Sequence, residues 1–150
     1  MLSIKLKTAS IGRIHWQPGG PEGRLPITAL PHAAANSPVR WWRTRGPLSF
    51  SRKDLAPLRR CLIRTTIIAE PEWIEAATGD AVSAIAVGIR LLNSHVIGAA
   101  EIDLALSSVL ACAIEGDATS PILISSALRR RSKVDPACRR LSELWLGARF

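Results

Sequence analysis

The sequence predicts a mainly α protein. A small bundle of five or six short helices, residues 52–147, follows a Pro-rich basic arm, residues 1–51, with room for a short β-hairpin; residues 148–150 form the C-terminal end. Three observations predict this. Seven of the ten prolines fall before residue 58, and proline lacks the N–H and fixes φ, so no long helix fits there. Beyond Ser51, apolar residues recur at helical spacing between Asp, Ser-Pro and Gly punctuation. Finally, 47% hydrophobic and 21% charged residues over 150 positions is the composition of one globular domain rather than a disordered chain.

In the arm, Leu2, Ile4 and Leu6 alternate with Ser3, Lys5 and Lys7, the pattern of a half-buried strand. Ile11–Trp16 is its hairpin partner, stopped by the Gln-Pro-Gly-Gly-Pro turn at 17–21, and Pro31–Pro47 reads as loop with polyproline-like pieces.

The first helix runs from Asp54, as cap, to about Ile68; Pro57 sits in its first turn, and Leu58 and Leu62 lie on one face. Pro71 opens a short helix that closes near Thr78-Gly79. Asp80 caps the next, Ala81–Leu92, in which Val82, Ile85, Ile89 and Leu92 share one face and Val87 and Leu91 another. Apolar nearly all round, it is expected to be the central buried helix. In the helix over 99–114, Ile102, Leu106, Val109 and Ala113 align inward, while Glu101, Asp103, Ser107 and Ser108 mark a wetter side. Ser120-Pro121 and Asp135-Pro136 open the last two helices, with Leu123, Ala127, Cys138, Leu141 and Trp145 inward.

Charge is laid out in blocks. Residues 1–65 carry twelve Lys or Arg against two acids, 66–127 one against eight, and 128–150 seven against two, which gives the net +8. The basic ends either reach for an acidic partner or neutralise the acidic middle.

Two clusters are the candidate binding residues. Arg40, Trp41, Trp42, Arg43 and Arg45 interleave guanidinium groups with indoles, a pattern that can pair phosphates while stacking bases. The plain alternative is that the tryptophans plug the helical domain and the arginine stems cover their rims. Arg129, Arg130, Arg131 and Lys133, with Arg139 and Arg140 on the next helix, form a basic corner around Val134-Asp135-Pro136. A helix–turn–helix would use the last helix as reader, but the turn lacks the frequent glycine. Here the plain alternative is cations complementing a helix C-terminus.

The sequence assembles no catalytic set and implies no cofactor. Glycine-rich phosphate loops, nucleophile elbows and metalloprotease helices are absent. His15, His32, His95 and the three cysteines have no metal-ligand spacing, and three cysteines without a close pair exclude a disulfide framework within one chain. Cys112 and Cys138 read as packed core thiols; Cys61, beside Arg59, Arg60 and Arg64, is the one reactive candidate, because nearby cations lower a thiol's pKa. The most apolar stretch, residues 81–100, is broken by Arg90, Asn93, Ser94 and His95, so no membrane span is expected. Lys5 and Lys7 precede no apolar run, so no secretory signal is expected either. An acid-poor, Arg-bearing N-terminus also suits organelle import, though the prolines oppose a mitochondrial targeting helix.

The reading is therefore a soluble, intracellular, non-catalytic regulatory module that engages nucleic acid or a nucleoprotein through both clusters. An adaptor or inhibitor for an acidic protein partner, or for copies of itself, is the second reading. A small thiol or hydrolytic enzyme, requiring Cys61 beside a histidine in a cleft, is the third.

Overall fold

In a computed structural model, residues 37–67, 70–94 and 99–148 are described. The expected hairpin over 2–16 and all three histidines lie outside them. The described residues are mainly helical and hold no strand. A single turn, α1 (Trp41–Thr44), precedes α2 (Leu55–Ile63), α3 (Trp73–Thr78), α4 (Ala81–Ser94), α5 (Ala100–Glu115), α6 (Ser120–Arg131) and α7 (Ala137–Leu146). The last six are the helices the punctuation predicts.

Their boundaries follow local chemistry. Ser51 and Asp54 form a capping box ahead of α2, the Asp54 carboxylate accepting from the Ser51 N–H at 2.8 Å. α2 stops at Ile63, short of the expected Ile68. The β-branched Ile63, Thr65, Thr66 and Ile67 are poor helix formers, and the Thr65 carbonyl accepts the Trp73 indole N–H instead. Asp80 accepts the Ser83 N–H at 2.7 Å at the start of α4, and Asp117 accepts the Ser120 N–H at 2.7 Å at the start of α6. Gly79 and Gly116 end α3 and α5 at φ 129° and 103°, a region L side chains rarely adopt.

The centre of the bundle is α5, not the expected 81–92 helix. Twelve of its sixteen residues are buried, including Ile102, Leu106, Val109 and Leu110. It packs against α2, α3, α4, α6 and the segment before α2. The side expected to be wet is covered: Asp103, Ser107 and Ser108 are all buried.

α4 lies further out. Its buried face is Ala84, Val87, Gly88, Leu91 and Leu92, whereas Val82 is 77% exposed and Ile89 46%. A helix apolar all round does not declare its face by periodicity; here the small residues decide it. A Cβ on Gly88 would stand 3.1 Å from Leu123 and 3.3 Å from Val109, so glycine lets α4 close onto α5 and α6. Gly88→Val should overpack this contact, costing about 1–3 kcal/mol. A thermal melt of the variant at or above the parent's Tm would show the contact to be loose.

The described part of the expected Pro31–Pro47 loop forms short turns: 3-10 pieces at Pro38–Arg40 and, at its end, Pro47–Ser49 flank α1. Each 3-10 piece begins with its proline, where a missing N–H costs little. The Pro38–Arg40 turn packs on α5 and α2, and α1 packs on α5. Residues 37–54 thus act as a strap across the bundle.

Candidate functional site

The Arg–Trp cluster turns inward through one acid that the sequence reading put on the wet side. Asp103, 3% exposed on the first turns of α5, accepts the Trp42 indole N–H at 3.2 Å and an Arg43 guanidinium N–H at 2.6 Å. Arg40 stands 3.6 Å away on the same carboxylate. Ser107, one turn on, donates to the Val39 carbonyl at 2.8 Å. Trp42 is fully buried, so neither face of its indole can meet a base.

Arg45 is likewise engaged. Its guanidinium lies 4.7 Å from the Trp41 ring centroid and 4.5 Å from that of Phe50, and it bonds the Ser49 carbonyl at 2.7 Å and Asp54 at 3.3 Å. Phe50 in turn rests on Trp145, with ring centroids 5.9 Å apart. Trp42 and Arg43, with Arg40 at longer range, therefore tie the strap to α5, and Trp41 packs on the core, whereas Arg45 braces residues of the strap itself. No signal in the sequence singled out Asp103, which shares the first turns of its helix with Glu101.

A second internal network concerns Arg59. It donates to the Ala76 and Ala77 carbonyls at 3.2 and 3.1 Å, caps the end of α3, and pairs with Glu115 at 2.6 Å. Its guanidinium also reaches Cys112 Sγ at 3.8 Å, while burial is the main cause that pushes the Cys112 thiol above its ordinary pKa. Arg59 is thus committed away from Cys61, the thiol it was expected to activate.

The basic corner is different. Arg129, Arg130, Lys133, Arg139 and Arg140 are all exposed at the joined ends of α6 and α7. Among the described residues only one ion pair involves them, the contact of Arg139 with Glu143 at 4.0 Å. Arg131 is more enclosed, its Nε buried without a hydrogen-bond partner. The turn is held from within: Asp135 accepts the Ala137 N–H at 3.2 Å, and the Cys138 thiol donates to it at 3.5 Å. Burial first, and Asp135 second, raise the Cys138 pKa. Arg129 and Arg130, in the last turn of α6, are placed to complement its C-terminus from exposed positions.

Two of the concavities among the described residues are of ligand size. One, about 660 Å³ and mostly apolar, lies between Gly46–Ser49 and the end of α7, with Leu48 and Leu144 on its walls. The other, about 490 Å³, opens between α2 and the first turn of α5, with Cys61, Arg40 and Arg64 on its walls. Among the described residues, no group of three His, Cys, Asp or Glu could hold a metal ion, and no helix is long and apolar enough to cross a membrane. No protein-family model, curated protein or solved structure matches this chain.

Proposed function

We propose that the protein is a non-catalytic helical module that binds nucleic acid through the basic corner of α6 and α7. The observation that carries this reading is the exposure of Arg129, Arg130, Lys133, Arg139 and Arg140 around one turn, with one long ion pair, Arg139 to Glu143, to any of them among the described residues. Exposed guanidinium and ammonium groups clustered on one edge suit phosphates, whose neutralisation releases counterions. Arg43, Arg45 and Trp42 support the reading differently from what their pattern suggests: they hold the scaffold and leave phosphate contact to the corner. Contacts of this kind position a backbone and do not read bases, so binding is expected to tolerate sequence.

The test is fluorescence anisotropy of the full chain with a short labelled DNA duplex and a single strand at about 50 and 200 mM salt. About four or five phosphate contacts predict that duplex affinity falls by about two to three orders of magnitude between these conditions. Arg129→Glu/Arg130→Glu, confined to exposed positions, should abolish binding while leaving the circular dichroism of the parent. Absence of binding by the parent at the lower salt would overturn the reading and shift attention to an acidic protein partner.

A further inference from the structure

The cleft between α2 and the first turn of α5 shares no residue with the basic corner, and its chemistry is mixed in a particular way. Val39, Ala100 and Leu104 give it an apolar wall, and Arg40 and Arg64 also line it. The one carboxylate on its wall, Asp103, is already held by Arg43 at 2.6 Å and by the Trp42 indole N–H. Arg64 makes no ion pair or side-chain hydrogen bond among the described residues, and Arg40 only the 3.6 Å approach to Asp103. The cleft is therefore cationic as well as apolar. Its volume, about 490 Å³, is in the range of small-molecule sites.

We propose that this cleft binds a small organic acid, its oxyanion head against Arg40 and Arg64 and its apolar body against Val39, Ala100 and Leu104. A guanidinium presents parallel N–H donors that match the two oxygens of a carboxylate. Apolar walls favour a ligand with a hydrocarbon body over a bare ion. Cys61, half-buried on the same wall, reports on the occupant without having to react with it in function.

The experiment alkylates the full chain with iodoacetate, which is anionic, or iodoacetamide, which is neutral, and maps the modified peptides by mass spectrometry. In each reaction the Cys61 sulfur forms a C–S bond as the C–I bond breaks, iodide leaves and the thiol proton goes to buffer. Cys112 and Cys138, both buried, serve as slow internal references. Relative to a free-cysteine peptide, Cys61 should favour iodoacetate, and Arg64→Gln should lower that preference about threefold, the effect expected of one nearby charge partly screened by water. Benzoate should protect Cys61 in the parent, benzamide and inorganic phosphate much less, and Arg64→Gln should lose the benzoate protection.

Arg64 is exposed, so the variant is expected to fold; Arg40→Gln provides a second arm from the other side of the cleft. An unchanged iodoacetate preference in both variants would overturn the proposal, as would equal protection by benzoate and benzamide. Phosphate protecting as well as benzoate would overturn the organic-acid assignment. Loss of nucleic-acid binding by Arg129→Glu/Arg130→Glu with benzoate protection intact would separate this site from the corner.

Discussion

Asp103→Ala is expected to destabilise the chain by about 3–5 kcal/mol, a large share of the roughly 5–15 kcal/mol that holds a domain together. The carboxylate is removed, but Arg43, with its side chain 14% exposed, and the Trp42 indole N–H stay where they are, now without the acceptor they share. What is lost is less the pair's own attraction than the desolvation of a cation and a donor left uncompensated. Thermal unfolding followed by circular dichroism should show Tm lower by more than about 10 °C. Asp103→Asn should fall between parent and Asp103→Ala, because an amide oxygen can still accept from the indole but brings no charge to Arg43. In Asp103→Asn/Arg43→Gln part of the loss should return, since the stranded cation is gone. If Asp103→Ala melted with the parent, the strap would not depend on this carboxylate.

That acid also marks where the sequence stops being legible. Helix limits could be read because they rest on local chemistry: Asp80, Ser120-Pro121 and Asp135-Pro136 begin helices, and Gly79 and Gly116 end them. The inward positions of α5 were legible for a similar reason, with Ile102, Leu106, Val109 and Ala113 at helical spacing and all buried. Asp103, Ser107 and Ser108 misled because polarity predicts water, whereas here they face a strap of arginine, indole and backbone carbonyl that neutralises them. No local pattern announces a partner 60 residues away in the chain.

The candidate site divides along the same line. Both clusters stood out as arginine-rich, and nothing in their composition separates a guanidinium that holds a fold from one that meets a ligand. The structure separates the clusters by acid supply: among the described residues Asp54 and Asp103 serve the strap arginines, while around the α6–α7 corner Glu143 alone forms an ion pair, at 4.0 Å. The Cys61 cleft left no trace in the sequence, since its walls come from the strap, α2, the residues after α2, and α5.

Leu106→Asp and Ile89→Asp test where the centre of the bundle lies, and they should part widely. Leu106 is fully buried on α5, and none of the ion pairs among the described residues involves a neighbour that would bring a cation to it. A carboxylate there loses its hydration without gaining a partner, so the chain should lose its cooperative helical transition altogether. Ile89 has the hydrophobicity of a core residue and sits in the helix that periodicity marks as central, yet it is 46% exposed. A carboxylate there can keep its water, and the cost should stay within about 1 kcal/mol. If Ile89→Asp unfolded the protein while Leu106→Asp melted like the parent, α4 would be the core, and the close approach at Gly88 would have to be redrawn. A tolerated Ile89→Asp has a further use. Val82 and Ile89 leave apolar surface in water on the outer side of α4. A carboxylate on that surface, in a chain that still folds, separates residues that hold the bundle together from those that merely face solvent.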